Sequence, residues 1–192
     1  MPEFITQTAH FIGELMVPNR NRTDVSQEIA YFIQHYEKDF ISSLIGYDLA
    51  LQLYADLPAL ADPRFNALVL GTDYVDANGA MKRWRGIVWP EFDATPDAVN
   101  YTSSLTAHYV YYYWSRNQAT LTTGVGEADG QTENATRTDS MRKQVKAYND
   151  MFCWIKEMYD FLNAKAVDYP EFVTYKQGKC LPLIKPINFY NI

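Results

Sequence analysis

"TPDAVNYTSSLTAHYVYYYWSRNQ" (Thr95–Gln118) decides the fold, because its densest part supports two readings. Five aromatics in six positions, Tyr109 to Trp114, are residues that favour strands. The start of the stretch argues otherwise. Thr95 suits an N-cap, Pro96 the first helical position and Asp97 the positive first turn. With that capped start and its length, the stretch is expected to be a helix of about five turns or more. Aromatics would then occupy every side of its last two turns. A helix apolar all round must be covered all round, so it is either the central helix of a bundle or is half covered by another chain.

Helical periodicity continues on both sides. In "TDVSQEIAYFIQHYEKDFISSLIGY", Val25, Ile29, Ile33, Tyr36, Phe40 and Leu44 recur at steps of three or four. Asp24 with Gln27 reads as a capping box and Gly46 as a stop, which predicts a helix over 24–45. "YDLALQLYADL" continues as a shorter helix ending before Pro58. "DPRFNALVLG" adds another, with Pro63 at its favoured first position. Downstream, Met141, Val145, Tyr148, Phe152, Ile155, Tyr159 and Leu162 step by 4, 3, 4, 3, 4, 3. That seam predicts a long helix to about Ala164 with Phe152 and Ile155 in the core. Arg142, Lys143 and Lys146 would oppose the dipole of a helix beginning at Asp139, so a start nearer Asn134 is expected.

Between these helices, "TDYVDANGAMKRWRGIVWP" carries Asn78-Gly79, the strongest short hairpin cue, and predicts a small β-hairpin. Past Val167, Pro170, Pro182 and Pro186 argue against any helix and leave an extended tail. The expected fold is mainly α. It is a compact helical bundle over 1–169 with a small hairpin excursion, a long interaction loop at about 119–138, and an extended C-terminal tail over 170–192.

The chain of 192 residues has 47% hydrophobic and 15% aromatic residues, enough for a core. Its net charge of −6, without a dense basic cluster, points away from specific nucleic-acid binding and from a membrane surface. The first twenty residues carry no basic region followed by a long apolar run, so neither a signal peptide nor an anchor is expected there. Cys153 and Cys180 are too few for a disulfide framework and are expected to be reduced. The sequons at Asn21, Asn100 and Asn134 then carry no glycosylation meaning.

Chemical motifs fall short. Gly124, Gly126 and Gly130 have the wrong spacing for a dinucleotide loop, and Glu127 and Asp129 would repel phosphate. "DYVDANG" lacks the acids of a calcium loop and reads as a surface turn. His10, His35 and His108 lack metal-site context, so no metal or other cofactor is expected. His35 reads as a boundary residue and His108 as a packing residue. Cys153 reads as a small buried hydrophobe, and Glu37 with Asp39 as a solvated face. No serine or cysteine nucleophile motif occurs, which leaves no catalytic residue to name. The acidic segment 120–138 is either an ordinary mobile loop or a projecting arm that orders on a partner.

"FIQHYEKDFISSLIGYDL" (Phe32–Leu49), "GAMKRWRGIV" (Gly79–Val88), "SSLTAHYVYYYWSRNQATLTTGVG" (Ser103–Gly126) and "ENA" (Glu133–Ala135) together resemble a small family of phage proteins. That family is common in crAss-like and other phages of Bacteroidales. It is similar in layout to the head–tail connector (adaptor or ring) proteins of tailed phages. The resemblance implies a non-enzymatic virion protein, made in the host cytoplasm, that assembles as a homo-oligomeric ring below the portal, often twelve-fold. DNA would pass through its channel. The portal and neighbouring neck or tail proteins are the implied partners. The family brings no catalytic residues. It implies contacts through the long loop (Thr122, Gly124, Gly126, Gly130) and through the tail (Pro182, Pro186, Phe189, Tyr190). Two alternatives stand beside it: a monomeric helical binding or assembly module, and an enzyme with a dispersed site.

Overall fold

The computed structural model describes residues 4–57, 59–91, 101–123, 126–129 and 140–178. Among these residues the fold is mainly α, with six α-helices and three two-stranded antiparallel sheets. Two 3-10 turns, Thr8–His10 and Gly13–Leu15, precede the first helix.

The expected first three helices are present as α1 (Thr23–Ile45), α2 (Tyr47–Asp56) and α3 (Pro63–Leu70). The capping box is not. Arg22 is the N-cap of α1 and gives no side-chain cap, while Asp24 pairs with the Arg22 guanidinium at 2.9 Å. Gly46 ends α1 and opens α2 with φ of 91°, where a Cβ would lie 2.8 Å from the Tyr175 ring. The corner therefore needs glycine for its backbone angle and for its packing. Asp62 caps α3 by accepting from the Arg64 N–H at 2.8 Å, with Pro63 at the first helical position.

The Asn78-Gly79 hairpin forms from β1 (Thr72–Val75) and β2 (Met81–Trp84), with Tyr74 opposite Lys82. Trp84 anchors it. Its indole is fully buried, stacks near Phe161 and donates to the Leu68 carbonyl at 3.0 Å. A second pair, β3 (Val88–Glu91) with β4 (Tyr101–Ser104), was not expected. It corrects the start of the aromatic helix. Residues 101–104 are strand, and α4 runs from Leu105 to Ala119. Pairing with β3 gives this β-favouring Tyr-Thr-Ser-Ser stretch its hydrogen bonds, and Ile87 O then receives the Leu105 N–H at 2.9 Å. The Thr95–Pro96–Asp97 cap lies outside the described residues.

α4 packs between α1 and α5 (Ser140–Ala164), which makes it the central helix of the two alternatives its composition allowed. Val110 and Tyr111 are buried; Tyr109, Tyr112, Tyr113 and Trp114 are half-buried. On α5 the seam has the expected spacing but is displaced by one residue. Ala147, Met151, Trp154, Met158 and Phe161 are buried, with Ile155 and Leu162 beside them. Phe152, Tyr148 and Tyr159 sit at the boundary, so Phe152 is not the core residue the periodicity implied. Met151, Trp154 and Met158 fill the core in their place, while the polar-tipped rings of Tyr148 and Tyr159 are only half-buried. The residues ahead of Ser140 that were to start this helix nearer Asn134 lie outside the described residues.

Two further corrections concern the ends of the chain's regular structure. Residues 170–178, expected to be extended, form α6 (Pro170–Gly178). Pro170 occupies its opening turn, where proline is tolerated, and Phe172 is fully buried. The expected loop at 119–138 contains β5 (Thr120–Thr123) paired with β6 (Gly126–Asp129).

The rotated seam sets an order of costs. Met151→Ala is expected to cost about 2–5 kcal/mol and Phe152→Ala clearly less, in urea unfolding of the two variants. The reverse order would restore the register read from the sequence.

Candidate functional site

The N-terminal segment reaches the bundle through one buried acid. Glu37 projects from α1 and is 0% exposed, not on the solvated face that its sequence neighbours suggest. Its Oε1 accepts the Ile5 N–H at 2.6 Å and its Oε2 the Thr6 N–H at 2.8 Å. The Tyr54 hydroxyl donates to Oε1 at 3.1 Å. Burial pushes the Glu37 pKa up against the pull of these donors, and burial beside the acid pushes Tyr54 up as well. Thr6 Oγ1 and Ser104 Oγ lie 2.9 Å apart, which ties the same segment to β4. This is a structural knot, with every acceptor turned inward.

A cleft of about 340 Å³ lies between the second 3-10 turn, the start of α4 and the middle of α5. His10, Arg85, His108, Asp150, Cys153 and Trp154 are among its lining residues. His10 Nδ1 accepts the Gln7 N–H at 3.2 Å, which leaves its proton on Nε2. His108 Nδ1 lies 3.1 Å from the Ser104 carbonyl, which fixes the opposite tautomer, and its ring meets Trp154 edge-on. His108 is thus the packing residue that was expected. Arg85 holds Glu157 through two hydrogen bonds of 2.5 and 2.7 Å and lies over the Trp154 ring. Cys153 is exposed, which corrects the buried reading: the displaced seam turns position 153 outward. No hydrogen bond among the described residues joins its thiol to either imidazole, so the arrangement lacks an activated nucleophile. No group of three potential ligands among the described residues could hold a metal ion.

The near-miss motifs have plain structures. Asp76 Oδ1 accepts the Asn78 and Ala80 N–H groups, both at 2.9 Å, which makes "DYVDANG" a side-chain-stabilised turn. A strand does precede Gly124, contrary to the expected helix. However, β6 follows, where a dinucleotide loop needs a helix.

Of the interaction residues, Thr122 lies in β5 opposite Glu127, and Gly126 opens β6 opposite Thr123. Among the described residues, the main contacts of this hairpin are between its own strands and with the end of α4. Gly124, Gly130, Pro182, Pro186, Phe189 and Tyr190 lie outside the described residues. Apolar side chains are also presented on β1 and β2. Val75 and Met81 are cross-strand partners, 53% and 74% exposed. Neither their exposure nor the burial of Glu37 was legible locally, since each depends on what the rest of the chain covers. No helix among the described residues is long and apolar enough to cross a membrane.

The chain matches no protein-family model, no curated protein and no solved structure.

The buried titratable groups give opposite pH signs. Burial lowers the His10 pKa from 6.5 to about 4 and lowers that of His108. Their contribution is complete above pH 6.5 and is lost as pH falls toward the folded values. Glu37, raised above its ordinary 4.5, contributes fully below that value and loses its contribution as pH rises through the folded one. The His10→Gln variant is therefore expected to lose less stability than the parent between pH 7 and pH 5, in urea titrations at each pH. At pH 7, Glu37→Gln should cost about 1–3 kcal/mol and Glu37→Leu more, because leucine leaves two N–H groups and a hydroxyl unpaired.

Proposed function

We propose that this chain is a non-enzymatic virion structural protein, one subunit of an oligomeric head–tail connector or neck ring between portal and tail. The observation that carries the reading is the β5–β6 hairpin. It continues directly from the central helix of a tightly packed bundle, and its main contacts among the described residues are with itself and that helix end. A ring subunit needs this combination: a rigid body to set the angle between copies, and arms whose backbone can adapt at the joints. The stretches that resemble phage connector proteins fall on the α1–α2 corner, the β1–β2 hairpin and the α4–β5 junction. The net charge of −6 suits a channel through which DNA must slide without being retained.

The cleft beside Cys153 favours a second reading, an enzyme with a dispersed site, because titratable groups converge there. The absence of a nucleophile–base hydrogen bond among the described residues weighs against it.

Light scattering and negative-stain microscopy of the purified chain, alone and with its portal, test the ring. A closed oligomer of the 22.2 kDa subunit is expected. Monomers under both conditions would instead favour the assembly-module reading. Deleting residues 120–129 is expected to abolish the oligomer while the thermal transition stays in place, and tight DNA binding by the single subunit at physiological salt would contradict the channel role.

A further inference from the structure

A groove with a volume of about 720 Å³ lies between the α1–α2 corner and α6. Three of its hydroxyls are already engaged. Ser43 Oγ donates to Phe40 O at 2.7 Å, Thr174 Oγ1 to Pro170 O at 3.1 Å, and Tyr175 OH to Ser43 O at 2.7 Å. Two acidic acceptors are left over. Glu171 lies 3.6 Å from Arg64 through Oε1, but its Oε2 is buried without a hydrogen-bond partner. Asp48, in the first turn of α2, is exposed, and its carboxylate forms no ion pair or side-chain hydrogen bond among the described residues. Beside them Tyr47 is 69% exposed, and Leu51, one turn along α2, is 58% exposed. The groove therefore asks for an occupant that is apolar, donates hydrogen bonds and carries positive charge. Two carboxylates disfavour an acidic peptide or a nucleic acid.

One segment of this chain has that chemistry. Residues 179–192, "KCLPLIKPINFYNI", contain Lys179 and Lys185, no acid, and seven large apolar residues. Pro182 and Pro186 favour an extended backbone. Fully extended, the segment spans about 45 Å at ~3.3 Å per residue. The groove is walled by α6 from Pro170 to Tyr175, and the chain leaves that helix at Gly178, heading away from Glu171. Filling its own groove would require a reversal over the helix just traversed. We propose that residues 179–192 dock in the α1–α2/α6 groove of a second copy, with a lysine of the segment against Glu171 and Asp48 and its apolar residues over Tyr47 and Leu51. The choice of a second copy rests on the ring reading above; the choice of occupant rests on the groove.

Zero-length carbodiimide cross-linking of the full chain tests both parts. An equal mixture of ¹⁴N- and ¹⁵N-labelled protein is cross-linked and its peptides are read by mass spectrometry. Amide links from Lys179 or Lys185 to Glu171 or Asp48 are expected, about half of them pairing unlike isotopes, as random exchange between copies requires. Links confined to like isotopes would place the segment in its own groove and overturn the second-copy assignment. No link to either acid would overturn the groove itself, whatever mass the protein shows. Asp48→Asn, which keeps a small polar side chain in the first turn of α2, is expected to weaken self-association at least about tenfold, the worth of one well-placed charge contact, with only a small change in melting temperature. Unchanged association would also count against the proposal. Because the ring is judged by particle mass and the docking by cross-links, a ring without these links rejects the docking alone.

Discussion

The burial of one carboxylate organises the way this chain closes on itself. Glu37 has no exposed surface, yet it receives two backbone N–H groups and a tyrosine hydroxyl. Residues 4–22 contain no α-helix or strand; 3-10 turns satisfy some of their backbone donors, and those of Ile5 and Thr6 find a partner on α1. The acid accepts both at once. From that point the order propagates. Thr6 reaches Ser104, β4 is held against β3, and the first N–H of α4 bonds to Ile87. Phe11, Leu15 and Val17 can then form a second core with Ile29, Ile33 and Val110, beside the larger one around Trp84 and Phe161. Desolvating a carboxylate is costly, and it persists here because each of its oxygens is met by donors.

How much of this was legible depends on the range of the interaction. α1, α2, α3 and the Asn78-Gly79 hairpin follow from periodicity, a proline at the first helical position and turn residues, all local signals. The face of α5 was misplaced by one residue because Tyr148 and Tyr159 count as apolar in a pattern but behave as edge residues in a fold. α6 was missed because Pro170 was read as a helix breaker, although in an opening turn proline costs no hydrogen bond. Glu37 could not be found locally, since its donors lie more than thirty residues upstream at Ile5 and Thr6.

The candidate contact surfaces were legible in a different sense. The composition of 120–138 marked it as a stretch unable to bury much apolar surface, and part of it forms a two-stranded hairpin. Threonines opposite short or polar partners suit such a ladder, because pairing needs backbone groups more than a hydrophobic face. The groove at α6 had no sequence signal. Its acids, Asp48 and Glu171, are more than a hundred residues apart, and the packing of Tyr175 onto Gly46 and its hydrogen bond to Ser43 O help bring their helices together.

The aromatic helix joins these levels. Tyr109 stacks on Phe40 at 4.0 Å, Tyr113 on Tyr36 at 4.6 Å, and Tyr112 meets Tyr148 at 5.0 Å. Each such pair contributes about 0.5–1.5 kcal/mol beyond burial. They fix α4 to α1 on one side and α5 on the other, close to the point where the chain becomes β5. A hairpin mounted on a loosely packed helix would point in many directions and lose entropy whenever it met a neighbour. Mounted on this one, it has its base set by ring contacts. Tyrosine also gives these half-buried rings a polar end to pair: the Tyr109 hydroxyl donates to that of Tyr113 at 3.5 Å. The dense aromatic run thus fixes the end of α4 from which β5 continues.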